Sequence, residues 1–165
     1  MKVAFNENSY RAKQGMKFQN EIFEQLQKME GISDLEMTWD YFNRISPGLE
    51  DKEYAGLEKE NGDITFIKDG ERYWIECCFI LGKEYTYFCD LKRLKFKGEN
   101  KFYCFGKLNF DEPAWFISAS VWNRYVYHCE TVKFEHRRYK KIKVDLIGSN
   151  IKAAIPTVEN FIKII

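Results

Sequence analysis

Apolar residues recur along the first half of the chain with two different periods. Between Ser9 and Met29, residues Phe18, Ile22, Leu26 and Met29 fall at i, i+4, i+8 and i+11. That spacing draws one stripe along an α-helix. Ser9 is placed to cap it, and Gly31 lies just beyond its end. From Asn61 to Phe79 the period becomes that of a strand. Asp63–Lys68 is rich in β-branched and aromatic residues, with Asp63, Thr65 and Ile67 on one face. Asp69-Gly70 tolerates the positive dihedrals of a tight hairpin turn, and Tyr73–Ile80 returns as an apolar strand. Between helix and hairpin, Met37–Ile45, with Trp39 and Phe42, reads as a first strand. Ile45–Asn61 reads as a loop carrying Pro47-Gly48 and the acids Glu50, Asp51, Glu53, Glu58 and Glu60. It leads into Asp63, where those acids can rim a site and tune it, although a solvated loop explains them as well. Tyr87–Lys97 has helical spacing through Phe88, Leu91 and Leu94 or Lys95. Lys101–Leu108 and Ala114–Val121 follow as apolar stretches, then Arg124–Phe134. At the end, Val158, Phe161, Ile162 and Ile165 fit a short amphipathic helix with Pro156 near its start. Such a helix can dock on the core or form a dimer contact.

One position breaks the apolar return strand. Glu76 places a charge inside Tyr73–Ile80, and an unpartnered buried charge costs several kcal/mol. A divalent cation shared with Asp63 on the neighbouring strand would relieve it. Two carboxylates suit Mg2+, or Mn2+ in its place, because Mg2+ completes its shell with water and substrate phosphate. The Ile75 and Cys77 carbonyls are further candidate ligands. A metal so held can polarise a phosphodiester and help to generate hydroxide.

The pattern Gly62-Asp63, hairpin, Glu76-Cys77-Cys78 resembles the core of the PD-(D/E)XK nuclease superfamily. In that family an acid opens one strand and Glu-x-Lys lies on the next. The leading helix fits the resemblance, which covers roughly residues 9 to 130. So does the order of helix, strands carrying Asp and Glu, helix and further strands, which is similar to the archaeal Holliday-junction resolvase branch. The resemblance implies an α+β (α/β) fold with a restriction-endonuclease-like core, a central mixed β-sheet flanked by helices. It also implies Mg2+-dependent cleavage of DNA, on branched or structured substrates, by a homodimer. A generic α+β domain is the alternative. Where many relatives carry Gly-x-x-x-Glu on the first helix, this chain has Gly15 followed by Gln19. Glu21 is the candidate accessory acid, with a solvated helix acid as the plainer reading.

The chain departs from the family at Cys78, which stands where the lysine belongs. That lysine orients water and stabilises charge developing on phosphate. A thiol is a weak donor that stays neutral near pH 7. Some relatives supply the ammonium from the next helix, which here points to Lys92, with Lys83 and Lys95 nearby. The competing reading is a degenerate site that binds nucleic acid or a protein partner without cutting.

Composition limits these alternatives. At 165 residues, 45% hydrophobic and 17% aromatic, the chain has enough apolar surface for one domain spanning residues 1–165. No apolar run is long enough for a membrane-spanning helix, and the N-terminus lacks the apolar core of a signal peptide. Five cysteines, mostly in apolar runs, fit reduced thiols in a cytoplasmic setting. With two histidines and no Cys-x-x-Cys, a structural zinc is not expected. The net charge of +1 hides a division. Residues 1–90 hold 11 Lys/Arg against 18 Asp/Glu, and residues 91–165 hold 15 against 7. Basic residues concentrate at Lys92, Arg93, Lys95 and Lys97, and again across Lys133–Lys143, which includes Arg137, Arg138, Lys140 and Lys141 beside Phe134, His136 and Tyr139. Cations interleaved with aromatics can grip phosphates and stack on bases. These residues are therefore candidate DNA contacts, and a solvated strand or loop is the alternative.

Overall fold

The computed structural model describes residues 10–80, 86–90, 95–107, 114–135, 137–143 and 151–165. The predicted first helix is α1, Tyr10–Gln27. Its stripe of Phe18, Ile22 and Leu26 is buried, and Met29 packs against the same cluster. Gly31, in the left-handed region at φ +85°, turns the chain into strand β1, Ile32–Met37. The strand expected over Met37–Ile45 is instead helix α2, Thr38–Ile45. Helical spacing there aims Tyr41 and Phe42 at Trp74, with ring centroids 5.4 and 5.8 Å away. Arg44 ties the helix back to Glu36 of β1 through bonds of 3.0 and 2.7 Å.

The expected loop over Ile45–Asn61 also contains a helix, α3, Asp51–Asn61. Its acids stabilise the helix start. Glu50 and Glu53 form a reciprocal capping box, and Asp51 and Glu53 lie at the positive end of the helix dipole. The hairpin forms as expected, from β2, Ile64–Lys68, and β3, Glu71–Ile80. Asp69 and Gly70 both take positive φ at its turn.

After the hairpin the chain departs from its local periodicity. Thr86–Asp90 is strand β4, not the start of a helix over Tyr87–Lys97. Residues 91–94 lie outside the described set, and Lys95–Asn100 is not helical. Strand β5, Lys101–Lys107, follows. Strand β6, Trp115–Ser118, stops short of the expected Val121, because the Ser118 side chain caps helix α4, Ala119–Tyr127. The remaining elements among the described residues are β7, Glu130–Phe134; β8, Arg137–Lys143; β9, Ile155–Pro156; and α5, Val158–Ile164.

The protein is α+β, with a six-stranded mixed sheet in the order β1-β2-β3-β5-β6-β9 and helices on its faces. All neighbouring pairs are antiparallel except β3 and β5, which run parallel. A second, three-stranded sheet has the order β4-β8-β7. Alternation along β3 separates the two faces of the large sheet. Ile75 and Cys77 join the core covered by α1 and α5, where Phe116 and Phe161 stack at 4.2 Å. Trp74 and Cys78 face a core built with Phe96, Tyr103, Phe105 and Trp122 of α4. On this second face, α2 and α3 lie over β1–β3, while α4 lies over β5 and β6. Glu76, between Trp74 and Cys78, belongs to that face.

Candidate metal and phosphate site

Gly62 closes α3 at φ +83°. A Cβ there would stand 2.6 Å from the Ile75 carbonyl oxygen, so only glycine lets the helix end against β3. Asp63 is thereby fixed from several sides. Its N–H donates to the Ile75 carbonyl at 2.7 Å, and its own carbonyl accepts from Thr38 N–H, the first residue of α2, at 2.8 Å. Its carboxylate accepts from Cys77 N–H at 2.8 Å. The side chain thus takes the place of a ladder acceptor one step beyond the Ile64–Ile75 pair and beside Glu76.

A second carboxyl reaches the same point. Glu58, in the last turns of α3, hydrogen-bonds to the Asp63 carboxyl. Burial, chiefly, and then the nearby Glu58 carboxyl push the Asp63 pKa from 3.8 up to about 7, against the lowering effect of the Cys77 N–H. Burial also raises Glu58. Two enclosed carboxyls in hydrogen-bond contact cannot both ionise cheaply, so they favour a shared proton or a cation. Thr38, whose N–H donates to the Asp63 carbonyl, carries a fully buried hydroxyl oxygen with no hydrogen-bond partner among the described residues.

Among the described residues no three His, Cys, Asp or Glu side chains converge as a metal-holding group. Mg2+ commonly takes only one or two protein carboxylates, so the donor chemistry at Asp63 and its neighbours fits that ion. The Cys77 thiol is unsuited. Burial, chiefly, holds it and the Cys104 thiol well above the ordinary cysteine range, in the neutral form. Only the Cys77 carbonyl remains a candidate ligand. Cys78 is 5% exposed and packed among aromatic rings.

Comparison with protein-family models, with characterised proteins and with solved structures finds no match to this chain.

The remaining sequence candidates are spread over the molecule. Glu21 lines a groove on α1 with Lys13, Lys17, Asn20 and Glu24, and α1 packs on the sheet face opposite Glu76. Lys92 and Arg93, like Lys83, lie outside the described residues, and Lys95 is exposed in the segment before β5. Arg137, Arg138, Lys140 and Lys141 all belong to β8, the central strand of the small sheet. Arg138 is exposed. Lys140 is instead engaged within the fold. Its Nζ donates to the carbonyls of Tyr127 and Cys129 at 3.0 and 2.9 Å, at the C-terminal end of α4. There an ammonium also meets the negative end of the helix dipole.

The Glu58 contact was hidden because its segment read as a loop. The signal was present in Glu50 and Glu53, whose spacing is that of a capping box. With α3 recognised as a helix, Glu58 falls in its last turns, next to Asp63.

Proposed function

We propose that this protein is a metal-dependent endodeoxyribonuclease of the PD-(D/E)XK type, acting on branched or structured DNA. The observation that carries the reading is the seat of Asp63. It immediately precedes β2, its carboxylate is held by the N–H next to Glu76, and Glu58 presses a second carboxyl against it. The order of elements also supports it, with a helix, an antiparallel meander and then a strand parallel to β3. Asp63 and Glu76 would hold Mg2+ or Mn2+, with the Cys77 carbonyl as a further ligand. When bound, such an ion supplies Lewis-acid polarisation of phosphate and a more acidic water. The protein's own part is to fix the carboxylates at the hairpin through the backbone bonds of Asp63. The basic residues of the second half would carry the DNA backbone. On a four-way junction two chains would act as a symmetric pair. The free thiols of Cys77, Cys78, Cys104 and Cys129 fit a reducing, cytoplasmic setting.

The burial of Cys78 favours a second reading, a fold that binds nucleic acid or a protein partner without cutting. A cleavage assay on linear, flapped and four-way-junction DNA with Mg2+ or Mn2+ separates the two. The nuclease reading expects cutting by the wild type, loss of at least about a hundredfold in Asp63→Ala and Glu76→Ala, and retained DNA binding. Equal cutting by either variant would remove the metal-site assignment.

A further inference from the structure

We infer that Lys101 is a phosphate-binding cation of this site, its ammonium contacting a non-bridging oxygen of the bound phosphodiester. The inference rests on the nuclease reading for its catalytic consequence, though the phosphate contact itself is testable without cutting. Parallel pairing of β3 with β5 sets Lys101 beside Trp74, Tyr103 beside Glu76 and Phe105 beside Cys78. Trp74, Cys78, Tyr103 and Phe105 share one core, so alternation puts Lys101 on the sheet face of Glu76. Its side chain then reaches from β5 to α3, where Nζ donates to the Glu60 carbonyl oxygen at 2.6 Å. Glu60 lies two residues after Glu58 and three before Asp63. The lysine therefore joins β5 to the helix end that presents the acids.

The ammonium is also short of a counter-ion. It lies 5.6 Å from the centre of the Phe96 ring, and among the described residues no carboxylate is in ion-pair contact with it. A carbonyl oxygen uses one of its three N–H donors, which leaves donors for an anion. Partial burial makes the charge costlier to hold and lowers its pKa, and the Glu60 charge offsets only part of this. A phosphate oxygen would meet both needs. In the hydrolysis, a bond forms from the water oxygen to phosphorus as the ester P–O bond breaks. The water proton passes to solvent and the leaving oxygen takes one up. Lys101 keeps its protons throughout and offsets the charge developing on phosphate.

The test uses Lys101→Met and Lys101→Arg in two backgrounds. In Asp63→Ala protein with EDTA, affinity for fluorescein-labelled junction DNA is measured across a salt series. Lys101→Met should lower the slope of log affinity against log salt by about one phosphate contact, and Lys101→Arg should restore it. With Asp63 intact and Mg2+ present, Lys101→Met should cut about a hundredfold more slowly, with Lys101→Arg recovering most of the rate. A merely structural role would move the melting temperature without changing the salt slope. If the wild type binds but does not cut, and the slope still falls in Lys101→Met, the contact stands and the nuclease reading fails. An unchanged slope in Lys101→Met would overturn the inference. So would cutting lost in Lys92→Met but kept in Lys101→Met, or an Asp63→Ala protein that binds no DNA.

Discussion

Asp63 binds its proton more tightly in the folded chain than in the unfolded one. Its pKa rises from 3.8 to about 7, chiefly through burial, and Glu58 beside it is raised for the same reason. For an acid this sign means that folding takes up protons between those two values. Stability should therefore fall as pH rises through roughly 4 to 7 and level off above. Urea unfolding of Asp63→Asn should show a flatter profile than the wild type, because Asn keeps an acceptor for the Cys77 N–H but cannot ionise. On the proposed metal-site reading, Mg2+ added at alkaline pH should restore stability to the wild type, since an ion that binds only the folded state shifts the equilibrium towards it. Parallel profiles for the two proteins would show that the Asp63 carboxyl is not enclosed as described.

At the scale of elements, cations of one strand do different jobs. Arg138 on β8 is exposed, whereas Lys140 on the same strand is bonded to two carbonyls at the end of α4. Lys140→Met should lower the free energy of unfolding by about 1–2 kcal/mol, the loss expected for a charged donor serving two backbone carbonyls. DNA affinity should be unchanged. Arg138→Glu should do the reverse, leaving stability unaltered and weakening DNA binding at low salt. Denaturation and binding measured on the same two variants decide it. A large affinity loss in Lys140→Met would return that residue to the binding surface. From sequence the two cations are equivalent, since both sit in one basic run. Only the placement of α4 against the small sheet separates them.

At the scale of the whole molecule, α5 closes the main core. Phe161 stacks on Phe116 at 4.2 Å, meets Phe102 at 4.9 Å and is fully buried. Phe161→Ala should cost about 3–5 kcal/mol, the range for emptying an aromatic site in a packed interior. Chemical denaturation should show it as an earlier midpoint with an unchanged slope. A loss below about 1 kcal/mol would mean that α5 is not an integral wall of this core. The short amphipathic tail had left docking and dimer contact open, and burial of Val158, Phe161 and Ile162 places that stripe on the chain's own sheet.

Local periodicity by itself determined α1, the β2–β3 hairpin and the apolar face of α5. In each case a short-range pattern or a turn dipeptide leaves one solution, as with Asp69-Gly70 at the hairpin. It also marked Asp63 and Glu76 as the carboxylates to watch, because a charge in an apolar strand needs a partner. The same local reading took α2 for a strand, α3 for a loop and β4 for a helix. Their states depend on long-range partners: Trp74 for the aromatics of α2, the Arg137–Lys143 strand for β4. Lys101 on the face of Glu76, bonded to the Glu60 carbonyl, was likewise decided only in three dimensions. A strand register and a helix end bring together residues that no spacing along the chain relates.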